Sequence, residues 1–274
     1  MQWLQAVFKT KPQHKYAIDA KMLGDQAEMA WSNLGFWDTA MVSYPQACSQ
    51  LAQRLADAIY LNSNDTLLDL GCGQGASLVL WKTHYQVQHI EAVELQAACT
   101  TLIQKNLNFV HRVHQLSFLN LNEKSFEFKF DAVLCIDAAY HSDLNSFLSS
   151  IDSVLNSKAR IGFHYLALTD RWQTLSRIQQ QKYAYLLKCA DIQIQHLKTN
   201  HQIENILKEY EFKNIQIEDI SHAVLNGFAG HAQQIKIQCR GLAGLKIQMT
   251  GKLCEKLYRD GLLAYIQVSA EKAN

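Results

Sequence analysis

The chain has few prolines, no excess of charge and no long apolar run. Only Pro12 and Pro45 occur among its 274 residues, which favours regular secondary structure with short connections. The formal net charge is +1, with acidic and basic residues interspersed, so the sequence offers no basic surface for a nucleic-acid backbone and we expect no nucleic-acid partner. No apolar run approaches the roughly 20 residues that span a bilayer.

Paired cysteine motifs are also missing. The seven cysteines are odd in number and show no C-x-x-C spacing, a pattern typical of reduced thiols in a cytoplasmic protein. His111 and His114 lack a third ligand in sequence, so we predict no metal site. The opening stretch lacks a secretory pattern, and residues 1–10 carry an apolar helical face. That face favours a packing or lid helix, with peripheral membrane contact as the alternative.

Strand-like and helix-like segments alternate along the rest of the chain. Seven strand-like runs, bounded by polar residues or glycine, cover 65–71, 89–95, 113–117, 130–137, 159–167, 212–221 and 262–271. Helical patterns fill the gaps between several of them. This alternation predicts an α/β fold with a doubly wound, Rossmann-like, seven-stranded and mostly parallel sheet.

The same pattern predicts four parts of the chain. A helical N-terminal lid covers 1–43, the Rossmann-like core covers 44–169, a helical substrate cap covers 170–211, and the C-terminal part of the core sheet covers 212–274. Aromatic residues in the cap suit an apolar cavity for a small or lipid-like molecule. Four aromatic residues, Trp31, Phe36, Trp37 and Tyr44, lie in or next to the lid, and we predict that they pack in the core. The alternative is that they cover a cationic ligand through cation–π contacts.

The stretch "LLDLGCGQG", residues 67–75, turns from a strand into glycines. Ligands of open parallel sheets bind beyond the carboxyl ends of the strands, and glycine lets the backbone approach a ligand closely. With Ala76, the spacing also fits the dinucleotide form G-x-G-x-x-A. Asp69 favours a cationic ligand instead, because a dinucleotide turn needs no carboxylate there. Glu94, at the end of the next strand, is placed to accept hydrogen bonds from a ribose.

Together with Glu94 in "IEAVEL" and the run "FDAVLCIDAAYH", this stretch resembles the class I S-adenosylmethionine-dependent methyltransferases. The segments "WSNLGFWD" and "CIDAAYHS" resemble the branch of that family that acts on lipids, isoprenoids and natural products. The resemblance implies S-adenosyl-L-methionine as cofactor and a hydrophobic small molecule as acceptor. It places the methionine and sulfonium end on Asp69, Gly71 and Gly73, and the ribose on Glu94. The implied donor-binding set is completed by Cys72, Gly75, Leu95 and Asp137.

The sequence departs from this family after the third strand. The family commonly has an acidic residue there that contacts adenine, whereas this chain has Ser117, so Ser117 or the Phe118 backbone is expected to take that place.

A base is needed if the acceptor is a hydroxyl or a thiol, and a histidine suits that role. His141 follows the fourth strand on the ligand-bearing edge and is the leading candidate, with Tyr140 beside it; His164 on the fifth strand comes next. The alternatives are that His141 caps a helix or bonds a loop carbonyl, and that His164 packs.

Two other functions stay open at this point: an NAD(P)-dependent oxidoreductase, and a non-catalytic module that senses the donor or serves as a partner subunit. A homodimer is also open.

Overall fold

A computed structural model describes residues 19–38, 42–235 and 241–273. Its strands are β1 (Thr66–Leu70), β2 (His89–Val93), β3 (Arg112–His114), β4 (Phe130–Cys135), β5 (Leu155–Leu168), β6 (Lys198–Thr199), β7 (Phe212–Asp219) and β8 (Leu263–Lys272). Seven of them form one sheet in the order β3-β2-β1-β4-β5-β8-β7, and the two-residue β6 pairs with β5. The predicted doubly wound α/β sheet is therefore confirmed.

Strand directions divide this sheet into two parts. β1 pairs in parallel with β2 and with β4, so that Leu67 lies opposite both Ile90 and Ala132. β8 runs antiparallel to both of its neighbours, β5 and β7. The carboxyl ends of β1, β2 and β4 therefore meet at one edge, where an open α/β sheet binds its ligands.

Helices cover both faces of the sheet. Along the described chain they are α1 (Tyr44–Ala58), α2 (Ala76–Thr83), α3 (Ala97–Asn106), α4 (Leu144–Asp152), α5 (Arg177–Cys189), α6 (Asn200–Glu209), α7 (Gly227–Gln234) and α8 (Gly241–Asp260). The start of α1 shows why they form. Ser43 and Gln46 make a capping box with Pro45 in the first turn, and Leu51 and Leu55 lie four apart on the buried face.

Successive residues of β1 enter two different apolar cores. Leu68 packs in the cluster that contains Phe147 of α4, whereas Leu67 packs in the cluster that contains Leu55 of α1 and Trp81 of α2. Side chains alternate between the two faces of a strand, so a sheet covered on both sides needs apolar residues at consecutive positions. The run "LLDL" meets this need except at Asp69, whose carboxylate is buried.

The N-terminal segment differs from the prediction. Residues 19–38 lie within the predicted helical lid but form turns, bends and irregular stretches without a helix. The carboxylate of Asp25 accepts hydrogen bonds from the backbone N–H groups of Ala27 and Trp31, and Gly24 and Gly35 adopt left-handed φ values of 102° and 75°. Left-handed glycines and an acidic side chain bonded to nearby backbone favour turns over a helix. Residues 1–10, with their predicted membrane contact, lie outside the described residues.

The predicted substrate cap contains one part that completes the sheet. Within 170–211, β6 extends β5 in parallel, and α6 begins at a capping box formed by Thr199 and Gln202 and buries Ile203 and Leu207. α6 contacts β7 and α4. The assignment of 170–211 as a substrate cap stays a prediction.

No helix among the described residues is long and apolar enough to cross a membrane.

A second helical insertion joins β7 to β8. It consists of a π-helical turn (His222–Asn226) followed by α7 and α8. The turn and α7 pack against the N-terminal segment: the N–H of Trp37 donates to the carbonyl of Ala223 at 3.0 Å, and the ring of His231 stacks on that of Trp37 at 4.5 Å. The insertion therefore holds the N-terminal segment in place.

Gly227→Ala tests this packing. A Cβ at Gly227 would lie 2.4 Å from the Cβ of Trp37, whereas a Cβ at Gly230, in the same helix, has nothing within 4 Å. We expect Gly227→Ala to lower the free energy of unfolding by about 1–3 kcal/mol, as overpacking does. Gly230→Ala, the control, should raise it by about 0.5–1 kcal/mol, because alanine favours a helix. Denaturant unfolding measures both, and equal effects would contradict the contact.

Candidate functional site

The glycine turn after β1 exposes its main chain. Gly71 and Gly73 adopt left-handed φ values of 71° and 57°, which other residues rarely adopt. The N–H of Gly71 donates to the carbonyl of Val93 at 2.8 Å, which ties the turn to β2. A Cβ at Gly73 would lie 2.9 Å from the Oγ of Ser32. Glycine is required here both for the backbone conformation and for close approach from the outside.

Glu94 holds this turn from the neighbouring strand. Its Oε2 accepts a hydrogen bond from the N–H of Gly73 at 2.9 Å, and its Oε1 accepts one from the N–H of Gln96 at 2.8 Å. The side chain is buried. A carboxylate has about four lone-pair sites, so one side chain can hold several donors at once. The predicted ribose acid therefore lies directly against the glycine turn.

Asp69 connects β1 to α2 beneath the turn. Its Oδ2 accepts a hydrogen bond from the indole N–H of Trp81 at 2.7 Å. Burial raises the pKa of Asp69 from its ordinary 3.8 to about 6, while hydrogen bonds from Ser77 and Trp81 oppose that shift. Both partners lie on α2, so the carboxylate fixes the position of the helix that follows the glycines.

The N-terminal segment closes the cleft above these residues. The cleft is lined on one side by Ala30, Trp31, Ser32 and Asn33, and on the other by Asp69, Gly71, Cys72, Ala76, Ser77 and Ile136. Only about 20 Å³ is open between them, room for about one water molecule. Predicted donor-binding residues and the N-terminal segment are thus brought together in a closed arrangement.

Cys72 and Gly75 belong to the same turn. Cys72 is buried in the apolar cluster against α2, and its burial raises the pKa of the thiol well above the ordinary value. A thiol of this kind suits packing and is a poor nucleophile. Gly75 is the residue that precedes α2 and has a φ of 94°.

Asp137 lies at the end of β4 and joins three parts of the chain. Its Oδ1 accepts hydrogen bonds from the phenols of Tyr140 at 2.8 Å and Tyr265 at 2.7 Å, and its Oδ2 accepts one from the N–H of Leu34 at 2.8 Å. Burial raises the pKa of Asp137 from 3.8 to about 6, against the effect of these hydrogen bonds. The residue has a left-handed φ of 53°. This carboxylate anchors the N-terminal segment to the sheet.

His164 lies beneath Asp137 and is fully buried. Its Nδ1 accepts a hydrogen bond from the N–H of Asp137 at 3.2 Å, and burial lowers the pKa of the imidazole from 6.5 to about 3. The ring is therefore neutral near pH 7, and its basic nitrogen is already engaged. Its contacts suit positioning of Asp137 better than proton transfer with an acceptor.

His141 and Tyr140 follow Asp137 in a short 3-10 turn. The Nδ1 of His141 lies 3.2 Å from the carbonyl oxygen of Asp191, and its ring lies 4.5 Å from that of Tyr140. The structure therefore shows the contact to a loop carbonyl that the sequence leaves as an alternative. His141 is half-buried, whereas Tyr140 is buried on Asp137. The catalytic role of His141 stays a prediction.

The residues predicted around adenine lie beyond β2 and β3. The Oγ of Ser117 accepts a hydrogen bond from the N–H of Leu119 and caps a 3-10 turn that begins at Phe118. The ring of Phe118 would lie 4.0 Å from a Cβ at Gly71. Leu95 follows Glu94 and is 55% exposed. An exposed leucine and a nearby aromatic ring therefore flank the glycine turn.

Comparison with known proteins bears on this arrangement. A family model described as a methyltransferase domain matches residues 42–217. The chain belongs to the methyltransferase domain family. The family resemblance predicted from the glycine turn and Glu94 is therefore confirmed.

One curated relative of this chain is the erythromycin 3''-O-methyltransferase of Saccharopolyspora erythraea. It is 24% identical over 140 residues, which cover 48% of this chain and 46% of that protein. The chain thus matches about half the length of this relative.

Solved structures share the fold. The cyclopropane synthase of Mycobacterium tuberculosis has a TM-score of 0.73 at 16% identity, covering 95% of both chains. A geranyl diphosphate C-methyltransferase from Streptomyces coelicolor, in complex with Mg²⁺, geranyl-S-thiolodiphosphate and S-adenosyl-L-homocysteine, has a TM-score of 0.69 at 16% identity. That match covers 93% of this chain and 92% of the other.

Sequence reasoning missed two residues of the candidate site. Tyr265 comes from β8 and reaches Asp137 across 128 positions, and only the pairing of β8 with β5 brings it there. Trp81 orients Asp69 from α2. Trp81 could have been found from its position in α2, because one side of the helix that follows the glycines must face β1.

Asp137→Asn tests the burial of this carboxylate. Because the pKa of Asp137 is about 6 when folded and 3.8 is its ordinary value, the folded state binds the proton more tightly. The contribution of Asp137 to stability is therefore fully present below pH 4 and is lost as the pH rises to about 6. Asparagine does not titrate, so we expect the unfolding free energy of Asp137→Asn, relative to wild type, to rise by about 3 kcal/mol across this window.

Denaturant unfolding at pH 4, 5, 6 and 7 measures the difference. Asp170→Asn, at an exposed carboxylate, is the control for the loss of one negative charge. A difference between Asp137→Asn and wild type that does not change with pH would contradict the buried, protonatable state of Asp137.

Proposed function

We propose that this methyltransferase transfers a methyl group from S-adenosyl-L-methionine to a hydrophobic small molecule. The observation that carries the proposal is the contact between Glu94 and the N–H of Gly73, which sets a carboxylate against bare main chain at the edge of the sheet. Nucleoside ligands use such an edge, with the sugar on an acidic side chain.

The residues present fit this donor. Gly71 and Gly73 leave space that a Cβ would fill, which suits close approach of the methionine part. Glu94 is proposed to accept hydrogen bonds from the ribose hydroxyls. Leu95 is exposed and Phe118 lies near the turn, so both offer apolar surface to adenine. Ser117, which caps its own turn, offers only a weak substitute for an acidic residue.

Donor binding requires a movement of the N-terminal segment. Trp31, Ser32 and Asn33 fill the space over the turn and leave about 20 Å³. We expect this stretch to withdraw for the donor to enter and then to close over it, which would exclude water from the reaction. The bond from the N–H of Leu34 to Asp137 holds the closed arrangement.

The protein's part in methyl transfer is to position the acceptor and exclude water. S-adenosyl-L-methionine supplies an electrophilic methyl group when bound. Displacement at that carbon needs an acceptor atom about 3 Å away and in line, which makes orientation the main source of rate. His141 is the residue proposed to take a proton from a hydroxyl or thiol acceptor, and Tyr140 lies beside it. His164 is proposed to position Asp137.

The chemical class of the acceptor rests on two kinds of support. Two of the related proteins carry a substrate in their names, erythromycin for one and geranyl diphosphate for the other, and both substrates are small organic molecules. In this chain, apolar residues of the N-terminal segment and α7 pack in the same cluster as Tyr140 and Tyr265, the partners of Asp137. Apolar surroundings beside these residues suit an apolar acceptor. Cytoplasmic location and homodimer formation remain predictions.

The competing functions are separated by one assay. Family membership removes the support for an oxidoreductase, but a module that only senses the donor would share the glycine turn. The protein is incubated with S-adenosyl-L-methionine labelled in the methyl group and with a cell extract. A methyltransferase yields label in an organic-soluble product, whereas a sensor binds the donor without forming any. Label lost on ribonuclease treatment would point to RNA as the acceptor and contradict the proposal.

Glu94→Ala should weaken binding of S-adenosyl-L-homocysteine by about 1–3 kcal/mol, because the ribose loses its acceptor and the turn loses its bond at Gly73. Glu94→Gln, which keeps the side-chain shape, should retain part of the affinity. Isothermal titration calorimetry measures both. Glu209→Gln, at an exposed glutamate on α6, is the control, and unchanged affinity in Glu94→Ala would remove Glu94 from the donor site.

His141→Ala should lower kcat by about 10²–10⁴-fold with little change in donor affinity, because a general base acts only on the acceptor. The control is His201→Ala, at an exposed histidine on α6. His141→Gln, which can still reach the loop at Asp191, separates the two roles. Full activity in the glutamine variant would assign His141 to loop packing and contradict its catalytic role.

A further inference from the structure

The outer face of α8 carries an exposed apolar stripe. Leu242, Leu245 and Met249 are 83%, 55% and 59% exposed. Their spacing of three and four residues places them on one side of the helix. Single exposed leucines are common on protein surfaces, but an aligned set over two turns indicates a contact surface. We call these three residues the α8 stripe.

The opposite side of α8 is already packed. Gly244, Ile247, Gly251 and Cys254 are buried, and the N–H of the Gln248 side chain donates to the carbonyl of Ala232 in α7 at 2.7 Å. A Cβ at Gly251 would lie 2.6 Å from the Cβ of Ala232, so the two helices are in close contact. The rotation of α8 is therefore fixed, and the stripe points away from the protein.

The charged residues that border the stripe are basic. From Gly241 to Cys254, α8 contains Lys246 and Lys252 and no acidic residue, and the next charged residue, Glu255, lies on another side of the helix by helical spacing. Lys246 and Lys252 are exposed and border the stripe, one on each side by helical spacing. Within the described parts of the chain, neither forms a salt bridge with an acidic side chain.

We propose that the α8 stripe, with Lys246 and Lys252, docks onto the surface of a bilayer that contains anionic lipids. A helix with one apolar face bordered by lysines lies in the membrane interface, and each basic residue adds about 1 kcal/mol near an anionic leaflet. A second copy of the chain fits less well, since a two-fold contact through the stripe would bring the lysines of both copies together. The inference concerns binding and is independent of methyl transfer.

One consequence does rest on the proposed function. α8 packs on α7, and α7 packs on Trp37 of the segment that closes the donor cleft. A bilayer at the stripe would therefore lie on the same side of the protein as this segment, with only α7 and α8 between them, so a membrane that holds an apolar acceptor would be close to the site.

The charge is tested by sedimentation of the full chain with vesicles. Vesicles of phosphatidylcholine with phosphatidylglycerol should bind the protein, and vesicles of phosphatidylcholine alone should bind it weakly. K246Q/K252Q should weaken binding to the anionic vesicles about 25-fold, from about fivefold for each lysine. The control K124Q/K129Q makes the same change of net charge at exposed lysines elsewhere and should bind as wild type. Equal loss in both variants would overturn the proposal.

The apolar contact is tested by L242S/L245S, which should lower binding to the same vesicles at least tenfold. The control I178S/Y185S changes two residues of α5 that are 66% and 74% exposed and should leave binding unchanged. Binding that both α8 variants leave intact would overturn the proposal and assign the membrane contact to another part of the chain, residues 1–10 included. A dimer of wild type by light scattering that L242S/L245S converts to monomer would also overturn it, in favour of a second copy.

Discussion

The site depends on one constraint, a main chain that must run bare and left-handed where β1 ends. Three glycines at alternate positions, Gly71, Gly73 and Gly75, make that conformation accessible, and Glu94 fixes it by accepting the N–H of Gly73. The strand order determines which side chains lie beside the turn. β1 has β2 on one side and β4 on the other, so Glu94 and Asp137, which follow those two strands, flank the turn from opposite sides.

Two buried carboxylates beside that turn oppose folding at neutral pH. Burial raises the pKa values of Asp69 and of Asp137 to about 6. A carboxyl pKa raised from 3.8 to about 6 corresponds to about 3 kcal/mol of lost stability when the group is ionised. Apolar residues of similar size would remove that cost, so stability does not explain these acids. Both carboxylates orient a neighbouring element. Asp69 holds α2 through Trp81, and Asp137 holds the N-terminal segment through Leu34.

The sheet could be predicted from sequence because its signals are local. Each strand is an apolar run with glycine or polar ends, and "LLDLG" shows the consecutive apolar residues that a sheet covered on both faces requires. The prediction of a helix over 19–38 was wrong, because the turns in this segment depend on the Asp25 carboxylate and on two left-handed glycines. Tyr265 was out of reach for a different reason. Its partner lies 128 residues away, and no local period encodes the register between β5 and β8.

Asp137 couples the closed position of the N-terminal segment to the candidate site. The carboxylate receives hydrogen bonds from the N-terminal segment at Leu34, from its own turn at Tyr140 and from β8 at Tyr265. The insertion that leaves the sheet just before β8 presses on the same N-terminal segment through Gly227 and Trp37. A displacement of α7 or α8 would therefore act on Trp37, next to Leu34, and so on the bond that keeps the cleft closed. The outer face of α8 is therefore connected to the cleft at the glycine turn by a continuous series of packed residues.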